Sequence, residues 1–321
     1  MAKSSSQQPS TPLAYSVVVP LYNEAENILA LDAELRAVMD HLENYEIIYI
    51  NDGSKDRSWE VLKILRHAVI INLNRNYGQS TALDAGFKAA KGEIIISMDG
   101  DLQNDPRDIP RLLLKLKEGG FDVVAGWRKN RKDKGGIRAL TKTGRFLRRV
   151  IIKDPVHDTG CTLRVYTKEA AKSLDLQGEM HRYILALLRW KGFRIGEIPV
   201  NHRARKYGET KYGYSKAVRG FIDLMYIWFI NKYYQRPLHM FGYLSLASFL
   251  FGVLALGESV FARLIWHLSL NRNGWFFLGF FFLLMGILFF SFGIVIDLLI
   301  RIYLNASPHD KRYYVREVVT L

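Results

Sequence analysis

Residues Glu93–Pro106 read EIIISMDGDLQNDP, a short apolar run that ends in two acids one glycine apart, Asp99 and Asp101. The β-branched run has the length and composition of a buried strand. Carboxylates crowded at its end disfavour each other's ionisation. The cluster is therefore either a cation site or an ordinary solvated acidic turn, and the surrounding chain decides between them.

Outward from this stretch the pattern repeats. Tyr15–Pro20 (YSVVVP), Glu46–Asn51 (EIIYIN), Ala68–Leu73 (AVIINL) and Asp122–Ala125 are further short β-branched runs. Helical patterns lie between them, at about 26–43, 56–66, 79–90 and 107–118. Such alternation predicts an α/β domain with a mostly parallel sheet and helices on both faces. In such sheets ligands bind beyond the carboxyl ends of the strands. The segments there are PLYNEAEN, NDGSKD, NRNYGQ, DGDLQND and GWRKNR, all polar. The acidic cluster is thus one of several loops converging on one edge. There is no P-loop, and no G-x-G-x-x-G follows the first strand, so phosphates would have to be held by a metal and basic side chains.

In extended backbone Asp99, Asp101 and Gln103, spaced i, i+2, i+4, would point the same way. Hard oxygen donors of this kind select Mg²⁺ or Mn²⁺, which keep substrate phosphate oxygens as further ligands.

The chain has 321 residues, 49% of them hydrophobic, and a formal net charge of +14. That excess points to an anionic partner: nucleic acid, a phosphorylated substrate or a membrane surface. One cysteine, Cys161, rules out an intramolecular disulfide. Residues 1–13 are expected to be a disordered polar tail and not a signal peptide. Pro237–Gly257 and Asn273–Ile296 carry no Lys, Arg, Asp or Glu, and each is long enough to cross a bilayer core of roughly 30 Å as a helix. Basic residues before the first run (Lys216, Arg219, Lys232, Arg236) and after the second (Arg301, Lys311, Arg312, Arg316) place both termini in the cytoplasm. This predicts a two-span membrane hairpin behind a cytoplasmic domain.

VVVPLYNEAENI, NDGSKDRS, MDGDLQNDP and RKYGETKYG together resemble glycosyltransferase family 2 with its GT-A fold. Within it, the chain resembles the polyisoprenyl-phosphate glycosyltransferases, which include dolichol-phosphate mannose synthases and bactoprenol glucosyltransferases. The resemblance runs from about Tyr15 to Gly213. It implies that Pro20, Tyr22, Asn23 and Glu24 hold the nucleotide sugar together with Asp52, which reads the base. It also implies that Asp99, Gly100, Asp101 and Gln103 carry the metal and the diphosphate. Independently, a carboxylate at Asp52 can accept the ring N–H of uracil or guanine, although NDGS is also a common turn. Asp84 reads equally well as a ribose contact and as a helix-surface acid.

Trp127–Lys153 holds eleven Lys or Arg and one acid, with apolar residues at near-helical spacing. This reads as a basic amphipathic segment attracted to anionic lipids. Arg128 and Arg138 are the expected phosphate contacts, by family position and by the forked donors of Arg. The resemblance adds Arg205 and Lys211 as ligands of the donor and lipid phosphates. The run 215–235 suits a helix lying along the membrane interface. Ala186 stands where processive polysaccharide synthases carry the glutamine of Q-x-x-R-W, which argues for transfer of a single sugar.

The expected activity is inverting transfer of one sugar, with UDP-glucose the first choice of donor, to a polyisoprenyl phosphate. The resemblance makes Asp158, in HDTGCTLRVY, the candidate for the catalytic carboxylate that takes the proton of a hydroxyl acceptor. With a lipid phosphate as acceptor it is expected to orient the acceptor or its basic ligands and not to accept a proton. The alternatives are GDP-mannose as donor, elongation of a glycan, or a non-catalytic membrane scaffold. Nucleic acid is not an expected partner, and a homo-oligomer is.

Overall fold

The computed structural model describes residues 13–42, 44–129, 156–204, 225–226, 228–229, 232–233 and 236–306. Two compact units result, residues 1–223 and residues 224–321.

In the first unit the elements follow the order β1 (Tyr15–Leu21), α1 (Ile28–Met39), β2 (Tyr45–Asn51), α2 (Ser58–Leu62), β3 (Val69–Asn72), α3 (Gln79–Ala89), β4 (Ile94–Ser97), α4 (Ile109–Glu118) and β5 (Val123–Trp127). They continue with β6 (Arg164–Thr167), α5 (Lys168–Lys172), α6 (Ile184–Trp190) and β7 (Ile195–Pro199). The sheet order is β3-β2-β1-β4-β6-β5-β7. Strands β1 to β4 pair in parallel, β6 runs antiparallel between β4 and β5, and β7 is parallel to β5. The five expected strands are all present. β6 and β7 were not foreseen, because each is short and RVYT and IGEIP carry charge inside the run.

Every residue of β1 is buried, as expected of a central strand covered on both faces. Val17, Val19 and Leu21 pack with Ile28, Leu31 and Leu35 of α1 and with Leu112 and Leu116 of α4. Val18 of the alternate register joins Ile48 and Ile50, Leu83 and Phe87 of α3, and Ile184 of α6. This period-2 division fixes which strand ends, and so which loops, meet at one edge.

The second unit is a helical hairpin, α7 (Pro237–Trp266) and α8 (Gly274–Ala306). At 1.5 Å per residue each helix exceeds the bilayer core. Ser245, Ser248, Gly252, Ala255, Ser259 and Ala262, the buried stripe of α7, recur at heptad spacing. Small residues there let the backbones approach. A Cβ on Gly252 would lie 3.0 Å from the Gly279 carbonyl oxygen, and Ser245 Oγ donates to the Gly286 carbonyl at 2.8 Å. The outward faces are apolar and exposed, as at Leu246, Leu264 and Ile302. Such surface suits lipid, and both helices are long and apolar enough to cross a membrane.

Candidate active site at the carboxyl edge of the sheet

The chain leaves β1 through Tyr22 and Asn23, and Asn23 adopts a left-handed conformation (φ 59°). Its amide N–H donates to Ser54 Oγ at 2.9 Å, and its side-chain oxygen accepts from the Lys55 N–H at 2.8 Å. Glu24 N–H donates to Ser58 Oγ at 2.9 Å, and Ala25 N–H to Asp56 Oδ2 at 3.2 Å. PLYNEAEN and NDGSKDRS are thus one stitched surface. Gly53 lies within it at φ +63°, and an added Cβ would fall 2.3 Å from the Arg75 backbone carbon. Only glycine fits there.

Asp52 follows β2 and is 3% exposed. Its two oxygens accept from the Tyr77 N–H at 2.7 Å and the Gly78 N–H at 2.9 Å. Burial raises its pKa, against the lowering by these two bonds. The carboxylate therefore folds the loop after β3 over the sheet edge, and each oxygen keeps a second lone pair.

After β4 the backbone does not stay extended. Leu102 is left-handed (φ 60°), and the Gln103 N–H donates back to Asp101 Oδ1 at 3.1 Å. This Asx-type turn breaks the i, i+2, i+4 alignment expected of Asp99, Asp101 and Gln103.

Pro20, Leu21, Tyr22, Glu24, Asp52, Asn76, Gly78, Gln79, Ala82, Asp99, Gly100 and Asp101 line a cleft of about 280 Å³. Gln103 is not among them. Gln79, at the start of α3, takes its place beside the acids, with Nε2 donating to Asp99 Oδ1 at 2.7 Å. Asn76, Gly78 and Gln79 were missed in the sequence. Their loop was recognised as polar and at the right edge, but no spacing rule singled out its members. Burial, and then the neighbouring Asp101 charge, push Asp99 up to about 6, against the opposing Thr162 hydrogen bond.

Asp99 and Asp101 are hard oxygen donors that line the cleft and would suit Mg²⁺ or Mn²⁺, for which substrate phosphate oxygens and water would supply the remaining ligands. Among the described residues no cluster of three His, Cys, Asp or Glu supplies an all-protein cage.

The second acidic loop is different. Arg128 Nε donates to Asp158 Oδ2 at 2.6 Å and its terminal nitrogen to Oδ1 at 2.9 Å. The Arg128 and Gly160 backbone N–H groups add bonds of 3.2 and 3.0 Å. Burial raises the Asp158 pKa, but the Arg128 hydrogen bonds and charge outweigh it and leave the carboxyl below the usual carboxylate range. Next to it His157 stacks on Trp127, ring centroids 4.5 Å apart, and holds Glu197 through Nδ1 at 2.9 Å.

Besides Gln103, three expected positions do not line the cleft. Asn23 is a loop brace. Asp84 accepts from the Leu176 N–H at 3.1 Å and pairs with Lys88 at 2.6 Å, so it behaves as a helix-surface acid and does not line the cleft. Arg128 is engaged by Asp158 and does not line it either. Arg138, Arg205, Lys211 and the basic segment beyond Lys129 lie outside the described residues. Cys161 is buried, and burial raises its thiol to about 11, so it is not a nucleophile.

A family model for glycosyl transferase family 2 matches residues 16–175. The dodecaprenyl-phosphate galacturonate synthase of Rhizobium johnstonii is 35% identical over 321 residues, covering 97% of this chain and 94% of that protein. The undecaprenyl-phosphate 4-deoxy-4-formamido-L-arabinose transferase of Edwardsiella ictaluri is 34% identical over 312 residues, covering 95% and 94%. Among solved structures, glucosyl-3-phosphoglycerate synthase from Mycobacterium tuberculosis, in complex with Mn²⁺ and UDP-glucose, superposes with a TM-score of 0.55 at 19% identity, over 67% of this chain and 79% of that one. The last likeness gives the GT-A-like fold. The chain belongs to glycosyltransferase family 2, among its polyisoprenyl-phosphate glycosyltransferases.

Proposed function

We propose that this enzyme transfers a single sugar from a UDP-sugar to a polyisoprenyl phosphate at the cytoplasmic membrane face, with a divalent ion bound at Asp99 and Asp101. The observation that carries the reading is the convergence of Asp52, Asp99 and Asp101 on one cleft, in a chain whose last third is a membrane hairpin. Asp52 would offer its remaining lone pairs to the ring N–H of uracil. The metal supplies charge neutralisation for the leaving diphosphate.

The nucleophile would be the lipid phosphate. Its second pKa is about 6, so near neutral pH it is largely a dianion and needs positioning and charge screening more than deprotonation. Asp158, committed to Arg128 and held acidic, suits an orienting role better than a proton-accepting one. Arg138, Arg205 and Lys211 are the assigned ligands of the phosphates. The catalytic domain is taken as 14–213, a juxtamembrane helix as 214–236, and the spans as 237–257 and 274–296 within the longer helices. Both termini are placed in the cytoplasm.

The names of the relatives supply two rivals to glucose, galacturonate and 4-deoxy-4-formamido-L-arabinose. The test is to incubate the purified full chain with polyisoprenyl phosphate and labelled UDP-glucose, UDP-galacturonate, UDP-4-deoxy-4-formamido-L-arabinose or GDP-mannose. An acid-labile lipid-phosphate sugar from one UDP donor is expected. Product from GDP-mannose alone, or label found only in an extended glycan, would overturn the reading.

A further inference from the structure

The segment Asn201–Ala204 lies against the stretch that follows the acidic pair. His202 forms an antiparallel bridge with Asn104, and the Arg203 N–H donates to the Gln103 carbonyl at 2.9 Å. Next to His202, the Asn201 N–H donates to Asp108 Oδ2 at 2.7 Å. The Arg203 guanidinium then spans two carboxylates: one nitrogen is 2.8 Å from Asp105, the other 2.6 Å from Glu34 of α1. Asp105 is 3% exposed. Hydrogen bonds from Arg107 and Arg203 hold it down at about 2, against the opposing effect of burial. Neither Arg203 nor Asp105 lines the cleft.

This arrangement has a job that the sequence motif alone does not explain. The turn at Asp101–Gln103 depends on a left-handed non-glycine residue, Leu102, a conformation that costs of order 1 kcal/mol or more and persists only where the surroundings impose it. Before the turn the chain is anchored by β4, which pairs with both β1 and β6. After it, three consecutive residues, Gln103, Asn104 and Asp105, are each held by the 202–203 pair. Arg203 makes two of those three attachments, through its backbone and its side chain, and ties them to α1, which packs on the β1 side of the sheet.

We propose that Arg203 is a positioning residue for the metal-binding carboxylate Asp101: through Gln103 and Asp105 it fixes the turn that presents Asp101 to the cleft. The inference rests on the metal reading above. Outer partners that orient metal ligands typically contribute 10–100-fold in metal affinity or activity.

The experiment measures transfer by the full chain in detergent against Mn²⁺ concentration, together with thermal unfolding. Wild type should be silenced by EDTA and restored by Mn²⁺; if it is not, the metal reading fails and Arg203 is not yet at issue. Given that restoration, Arg203→Ala should raise the half-saturating Mn²⁺ concentration about 10-fold or more, while the nucleotide-sugar KM at saturating Mn²⁺ stays within about 3-fold. Arg203→Lys cannot fork two carboxylates and should restore only part of the shift. Glu34→Gln removes the more exposed arm alone, does not threaten the fold, and should give a shift of about 2- to 5-fold. Lower thermal stability with unchanged Mn²⁺ half-saturation in Arg203→Ala would show a merely structural role and overturn the proposal. If Arg203→Ala does not fold, an unchanged half-saturation in Glu34→Gln would overturn it equally.

Discussion

The two acidic loops of the site, Asp99–Asp101 after β4 and Asp158 beyond β5, are built in opposite ways. Asp158 meets a forked guanidinium and two backbone N–H groups, and the result is a carboxylate more acidic than usual. Asp99 has a neutral amide from Gln79 and an acidic neighbour, and its ionisation is disfavoured. The charge of Asp158 is matched directly by Arg128, whereas at Asp99 burial and the Asp101 charge outweigh the Thr162 hydrogen bond and the more distant Arg128 and Arg164, which suits the cation proposed above. A carboxylate's role is therefore set by its partners, and proximity to the cleft is a poor guide to it.

The largest expected effect breaks the comparison at its open side. Asp101→Asn should lower transfer by about 10³-fold or more, since it removes the charge proposed to hold the ion that screens the leaving diphosphate, and thermal unfolding should show the fold intact. Activity within 10-fold of wild type at low Mn²⁺ would contradict it.

Stability should show the reverse order. Arg128→Ala leaves Asp158 buried and unpaired and is expected to cost about 3 kcal/mol in chemical or thermal unfolding. Asp99→Asn removes a disfavoured charge and should be neutral or mildly stabilising in the absence of metal. Equal losses from both would erase the distinction.

A finer separation comes from pH. General-base loss typically lowers rate by about 10²–10⁴-fold and removes a limb of the pH–rate profile. Asp158→Asn should lower rate by up to about 10²-fold while the profile keeps its shape and follows ionisation of the lipid phosphate. Loss of a limb that wild type shows with a fully ionised acceptor would make Asp158 the base.

The smallest effect lies in the acid range. The folded-state pKa of Asp158 is depressed, so its contribution to stability is fully present above the unfolded value, near pH 4, and is lost as pH falls below it. Unfolding midpoints of wild type should drop more steeply than those of Asp158→Asn between about pH 4 and pH 3. Parallel curves would show that the pair adds nothing linked to protonation.

Much of this was legible in the sequence because burial on both faces writes strands as uninterrupted β-branched runs, as at Tyr15–Leu21 and Glu46–Asn51. Arg164–Thr167 was hidden because its first residue is a buried arginine, bonded to the Thr159 carbonyl at 2.7 Å, and charge is the usual sign of a loop. The cleft was legible at Asp52, Asp99 and Asp101, where residue type and position after a strand coincide. Gln103 does not line the cleft, because the strand's period-2 alternation stops at the turn set by Leu102. Gln79 escaped notice because an amide at a helix start has no signature of its own. The Arg128–Asp158 pair joins residues thirty apart in the chain, and nothing local marks them as partners.

The central claim is that only one of the two acidic loops holds the divalent ion. Mn²⁺ binding to the full chain in the presence of UDP, followed by the spectroscopic signal of free Mn²⁺, tests it without relying on turnover. Asp158→Asn should bind Mn²⁺ within about 3-fold of wild type, and Asp101→Asn should weaken binding by 10- to 100-fold or more. Unchanged binding in Asp101→Asn, or a comparable loss in Asp158→Asn, would contradict the account.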